Sequence, residues 1–192
     1  MKRCSWCLGD DDYIRYHDNE WGVPVRDDRK LFEMLTLEGA QAGLSWITIL
    51  KRRDGYKNAF HDFDINAVAS MGKRDVNRLL KDPGIIRNRL KVESAITNAQ
   101  AIIRVAEEYG TFCEFIWQFT GGKTIHHRYR SMAMVPPTTL ESDKMSRELK
   151  KRGFRFTGST ICYAFMQATG MVNDHITSCF RYKEIKDAVH NK

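Results

Sequence analysis

Lys81-Asp82-Pro83-Gly84-Ile85-Ile86-Arg87 interrupts a chain that otherwise reads as helix on both sides. Proline cannot continue a helix and glycine tolerates backbone angles that other residues avoid, so the pair ends one helix and turns the chain. Upstream, residues 74–81 read as a short helix. Downstream, apolar residues recur at helical spacing from Ile85 to Tyr109, and Gly110 is placed as the stop. Gly84 is expected at positive φ, with adjacent backbone N–H groups left free beside the partly positive start of the next helix. Arg87, Arg89 and Lys91 add charge, a combination suited to a nucleic-acid phosphate. A Pro-Gly turn between helices is common, so the turn is informative only in company.

Working outward, the remaining segments are also helical. Asp27 and Asp28 can cap a helix whose apolar positions Leu31, Phe32, Leu35 and Leu37 lead to Glu38. Gly39 and Gly43 loosen that run before Trp46, Ile47, Ile49 and Leu50 resume it. Asp64 starts a short helix that Gly72 is placed to end, and the apolar segment 112–119 is closed by Gly121-Gly122. Residues 121–141 lack periodicity and contain Pro136-Pro137, so they read as an excursion. Ser142-Asp143 start a basic helix ending near Gly153, residues 161–171 form an apolar helix, and the last dozen residues read as loosely attached. No strand alternation persists. The expected fold class is all-α, one unit over residues 1–192 with its core at about 27–170 and end segments 1–26 and 171–192.

The bulk numbers agree with a soluble partner of polyanions. Hydrophobic residues make up 42% and charged residues 29%, and 31 basic against 24 acidic residues leave a net charge of +7. The Met1-Lys-Arg start is not followed by an apolar signal region. The longest apolar stretch, residues 42–50, is interrupted by Ser45 and Thr48 and is too short to span a bilayer. An intracellular, cytoplasmic protein is expected. Five cysteines, an odd number, then point to metal binding or burial rather than to a disulfide framework.

The two ends of the chain hold a metal-type donor set: Cys4 and His17, then His175 and Cys179. The latter pair is four residues apart, so one helical turn would put both on one face. Two thiolates and two imidazoles suit tetrahedral Zn²⁺ and leave no open position, the mark of a structural site. Cys4-x-x-Cys7 offers an alternative knuckle with His17 outside, and simple burial of the cysteines is a third reading. Cys113 and Cys162 lie in apolar runs and read as small hydrophobes, while His126 and His127 read as solvated.

Aromatic residues crowd the same end of the chain: Trp6, Tyr13, Tyr16 and Trp21, with Glu38 and Trp46 following. Core packing and a solvated glutamate are the plain explanation. The functional one is a pocket for a base extruded from a duplex, which needs aromatic faces for stacking and polar groups for its edge. An N3-alkylated purine nucleotide is cationic, so a carboxylate among aromatic faces would supply both counter-charge and cation–π attraction.

These segments closely resemble the bacterial 3-methyladenine DNA glycosylase I family, a branch of the helix–hairpin–helix glycosylases. The resemblance runs from about Lys2 to Cys179 and rests on residues 16–24 (YHDNEWGVP), 37–39 (LEG), 41–48 (QAGLSWIT), 84–87 (GIIR), 150–154 (KKRGF), 160–163 (TICY) and 172–175 (VNDH). It implies a monofunctional enzyme that hydrolyses the N-glycosidic bond of 3-methyladenine in double-stranded DNA, working as a monomer. It implies one structural zinc on Cys4, His17, His175 and Cys179, demoting Cys7. It also implies a base pocket of Trp6, Tyr13, Tyr16, Trp21, Glu38 and Trp46, with Leu44 plugging the gap left by the flipped nucleotide and Gln41 reaching the opposite base. Many relatives in that superfamily carry an essential aspartate after the hairpin; here no Asp occurs between Asp82 and Asp143, in keeping with the 3-methyladenine branch. No lysine stands out as a Schiff-base nucleophile. The competing expectations are a glycosylase for another damaged base and a non-catalytic, zinc-stabilised DNA-binding module.

Overall fold

The Asp27 carboxylate accepts a hydrogen bond from the Lys30 N–H (2.8 Å) and opens α2, Asp28–Gln41, the helix around which the others gather. Every residue from Leu31 to Ala40 is buried, so α2 has no solvent face, as expected of a central helix. The computed structural model describes residues 1–190, with side chains through residue 188. Asp28 serves a different helix: its carboxylate accepts from the Phe112 and Cys113 N–H groups (3.1 and 2.7 Å) at the start of α8, Phe112–Trp117.

Around α2 pack α3 (Trp46–Leu50), α7 (Arg89–Tyr109), α8 and α10 (Ser159–Ala168). The shorter α5 (Ile65–Ala69) and α6 (Lys73–Leu79) lie on α7, α9 (Leu140–Lys151) packs on α10, and α1 (Asp11–Asn19) meets α3. The chain also holds α4 (Arg53–Ala59) and α11 (Phe180–His190). No described helix is long and apolar enough to cross a membrane.

The mostly helical architecture matches expectation, with corrections that have physical causes. Two dipeptide strands, β1 (Ile125–His126) and β2 (Val172–Asn173), pair in parallel and tie the 121–141 excursion to the segment after α10. A bridge of two residues is too short to leave a period-2 signature. The basic helix begins at Leu140 because Thr139, not Ser142, is its cap, and Ser142 completes the capping box. Gly72 opens α6 rather than ending α5. Residues 180–190 form a helix instead of a loose tail, with Ile185 buried and the Phe180 N–H bonded to the Lys2 carbonyl (3.1 Å). His127 is not solvated but bonded to buried Asp174 (2.6 Å).

The turn at 81–88 differs most from its reading. The long helix starts at Arg89, capped by Asn88, not at Ile85. Gly84 is not at positive φ. A Cβ there would stand 3.0 Å from the Asp82 carboxylate and 3.3 Å from Gly55 Cα, and a Cβ on Gly55 would meet the Gly84 carbonyl oxygen at 2.2 Å. The two glycines are required by close backbone approach. The Gly84 N–H is taken by Asp82 Oδ1 (2.7 Å) and the Ile86 N–H by the Tyr56 hydroxyl (3.3 Å), so neither is a free donor. Lys91 is also spoken for: its Nζ donates to the Ala40 and Ala42 carbonyls (2.8 and 2.6 Å) at the end of α2. Arg87 and Arg89 remain exposed, Arg89 bonding Asn77 and Glu93 at the surface.

Candidate binding pocket and metal centre

Asp10 starts α1 by accepting from the Asp12 and Tyr13 N–H groups, and α1 then places Tyr16 and His17, both buried, toward the interior. Those two neighbours diverge into two sites. Tyr16 enters a pocket; His17 enters a cluster of metal-type donors.

The pocket is a cavity of about 220 Å³ between α1, α2, α3 and α10. That is below the ~300–1,000 Å³ of sites for drug-sized ligands, so it suits a single ring system. Trp6, Tyr16, Trp21 and Trp46 provide its aromatic walls, and Glu38 and Gln41 enter from α2. Trp6 and Trp21 meet edge to face at 5.1 Å, and Tyr16 and Trp46 lie 5.4 Å apart. Three donors that line it, the Trp6 and Trp46 indole N–H groups and the Tyr16 hydroxyl, are buried with no hydrogen-bond partner. Buried polar groups left unpaired cost free energy, so three of them in one cavity call for partners from outside the chain.

Glu38 faces this cavity at 5% exposure, and burial pushes its carboxyl up to about 8. The sequence reading has a solvated glutamate or a ready counter-charge. Burial rules out the solvated glutamate, and desolvation favours the protonated acid at neutral pH. The Tyr16 hydroxyl is also held protonated, by burial first and by Glu38 second.

Five of the six expected pocket residues come together. Tyr13 does not line the cavity: its ring stands edge-on to Trp6 at 5.5 Å and its hydroxyl accepts from the Ile47 N–H (2.9 Å), which supports the start of α3. Gln167 and Ala164 of α10 and Met132 of the excursion complete the lining. Nothing local in the sequence singled these out. A second hollow continues past Glu38 and Gln41 to Leu44. Leu44 is 40% exposed, on a turn where Gly43 takes φ +77°.

Cys4, His17, His175 and Cys179 are all buried, and their donor atoms lie within 4.8 Å of one another. Cys4 Sγ is 3.7 Å and Cys179 Sγ 3.6 Å from His175 Nδ1, and Cys179 Sγ is 3.5 Å from His17 Nε2. A tetrahedral zinc centre with ordinary Zn–S and Zn–N bonds has S···N edges of about 3.5 Å. These three S···N distances match the edges of such a tetrahedron, so the donor set fits a tetrahedral ion. The outer nitrogens are held as metal-bound histidines require: His17 Nδ1 on Asp18 (2.8 Å), itself gripped by Arg3, and His175 Nε2 on the Trp21 carbonyl (2.9 Å). Cys7 stays outside, its thiol donating to the Cys4 carbonyl. His175 and Cys179 sit on a tight turn before α11, not on a helix face.

Fold and site together describe a helical protein whose end segments meet at a buried Cys₂His₂ cluster beside a small aromatic pocket. The family model for methyladenine glycosylases matches residues 6–182, and the chain belongs to that family. It is 50% identical to DNA-3-methyladenine glycosylase 1 of Escherichia coli K12 over 95% of this chain and 97% of that protein. A crystal structure of 3-methyladenine DNA glycosylase I superposes with a TM-score of 0.91 at 52% identity, covering 93% of this chain and 98% of the other. A variant of 3-methyladenine DNA glycosylase I in complex with 3-methyladenine also gives 0.91, at 34% identity, covering 94% and 97%.

Proposed function

We propose that this chain is a monofunctional DNA glycosylase that flips 3-methyladenine out of alkylated duplex DNA and hydrolyses its N-glycosidic bond, leaving an abasic site. The observation that carries this reading is the aromatic cavity with three unpartnered donors facing one buried carboxyl. Stacking holds the flipped base, and the donors meet its ring nitrogens. Glu38 is the group through which alkylation is sensed. A cationic nucleotide draws the carboxyl into its ionised form, whereas normal adenine offers no charge to offset that cost. The alkylated base departs neutral, so the reaction asks little of a general acid.

The assembly is a helix–hairpin–helix glycosylase forming one unit over residues 1–192. Arg87 and Arg89 after the Gly84 turn engage phosphates, Leu44 fills the space of the flipped nucleotide, and Gln41 reaches toward the opposite strand. Exposure of Leu44 and of both arginines supports these roles. Cys4, His17, His175 and Cys179 hold one structural zinc. Four protein ligands leave no open coordination position, so the ion clips the termini together beside the pocket wall at Trp21.

Chromatography of the free bases released from dimethyl-sulfate-treated DNA tests the assignment. Release of 3-methyladenine as a discrete product is expected. Release of a different base only would make this a glycosylase for other damage, and tight DNA binding with no release would make it a non-catalytic module.

A further inference from the structure

Gln167 shares the pocket with Glu38 and Gln41, and its side-chain amide has a defined orientation. Its Nε2 donates to Asp174 Oδ2 (2.8 Å). Asp174 is 1% exposed and also accepts from the Tyr163 hydroxyl (2.5 Å) on the same oxygen and from His127 Nδ1 (2.6 Å) on the other. A carboxylate receiving three donors has none to give, so the Gln167 amide cannot be turned end for end. Its nitrogen is committed to Asp174, and no group in the described protein donates to its Oε1. The backbone beneath is also pinned, the Gln167 carbonyl accepting from the Gly22 N–H (3.0 Å).

We propose that Gln167 is a specificity-determining residue: oriented by Asp174, it presents Oε1 to the bound base as a fixed acceptor for an exocyclic amine, rejecting purines with a keto oxygen at that position. This rests on the base-pocket reading above. Glu38 cannot do this alone, because a carboxyl held up to about 8 is able to donate to a keto oxygen as well as accept from an amine. An adenine-type amine has two hydrogens and can satisfy two acceptors. A keto oxygen opposite Oε1 leaves two acceptors facing each other, with a desolvation cost and no bond in return. Asp174 is a positioning residue, and through His127 it also fastens the excursion that brings Met132 to the pocket.

The test uses the full chain with its metal and two free bases, 3-methyladenine and 3-methylhypoxanthine, which replaces the amine by a keto oxygen. Binding is followed by tryptophan fluorescence, since Trp6 and Trp46 line the pocket. Wild type is expected to prefer 3-methyladenine. Gln167→Met, which keeps length and removes the acceptor, is expected to lower that preference about tenfold, the loss of roughly one hydrogen bond, with the protein still folded at a melting temperature lowered by the lost bond to Asp174. Asp174→Asn, checked for metal content and melting temperature, is expected to lower it too, because an Asn amide lets Gln167 reverse. An unchanged preference in Gln167→Met, or a parallel loss of both ligands, overturns the proposal while leaving the base pocket intact. A preserved preference in Asp174→Asn removes the positioning role. Failure of wild type to bind 3-methyladenine removes the pocket reading itself and the proposal with it.

Discussion

Cys4 Sγ lies 3.7 Å from His175 Nδ1, although 171 residues separate them along the chain. Bringing four donors to one buried point is costly in chain entropy, and a bound ion offsets that cost, so metal content and folding should be coupled. Cys4→Ala or His175→Ala, or treatment with a strong chelator, should lower the melting temperature and increase amide exchange at both ends of the chain together. Zinc analysis should give about one ion per wild-type chain. A metal-free protein that melts like the loaded one would remove the clip.

Glu38 makes stability fall with pH. Its carboxyl titrates near the ordinary 4.5 when unfolded and at about 8 when folded, so the folded chain holds the proton more tightly. The resulting stabilisation is complete below the unfolded value and is lost as pH rises through the folded one, at no more than about 1.4 kcal/mol per pH unit. Glu38→Gln has no such dependence. Its unfolding free energy in denaturant titration should therefore gain on wild type from pH 5 to 9, by an amount on the order of a few kcal/mol. Parallel curves for the two proteins would show that Glu38 is ionised throughout. The same variant should weaken selection of damaged over normal DNA by about 1–3 kcal/mol, read as single-turnover release.

Three basic residues close together at the start of α7 should behave differently. Neutralising exposed Arg87 or Arg89 should weaken binding to damaged and undamaged duplex alike and reduce the salt slope by about one for each phosphate no longer neutralised. Lys91 bonds the last carbonyls of α2, so Lys91→Met should cost about 1–3 kcal/mol of stability and leave the salt slope unchanged. Equal salt effects from all three would place Lys91 on the DNA.

Two glycines at positive φ should tolerate alanine unequally. Gly43 (φ +77°) has open space where a Cβ would go, whereas at Gly170 (φ +68°) a Cβ would stand 2.3 Å from the Val23 carbonyl carbon. Gly43→Ala should cost only the left-handed backbone penalty of about 1 kcal/mol. Gly170→Ala must also separate α10 from the segment that leads into α2, and its loss in denaturant titration should exceed that of Gly43→Ala severalfold. Similar losses would contradict the close approach.

Helical periodicity and capping residues determined the central helix, the long α7 and the all-helical class, because those signals are local and repeat along the chain. Asp27 ahead of Leu31, Phe32 and Leu35 was enough to place α2. The residue types at the two ends likewise named a metal-type donor set before any geometry was known. Their choice among alternatives was not local: Cys4 and Cys7 are equally plausible thiolates in sequence, and only the fold turns one toward His175 and the other toward a carbonyl. Close approach was equally hidden, since Gly84 looked like a positive-φ turn and serves instead to let Gly55 pass. The family resemblance drew Tyr13 into the pocket, while the tertiary structure gave its hydroxyl to Ile47 and brought in Gln167 from 121 positions beyond Trp46. Burial, which lifts Glu38 to about 8, and the single orientation of the Gln167 amide exist only once α2, α10 and the Asp174 segment are packed together. Solvent exclusion and hydrogen-bond direction depend on neighbours distant in the chain, and no pattern along one strand of residues encodes them.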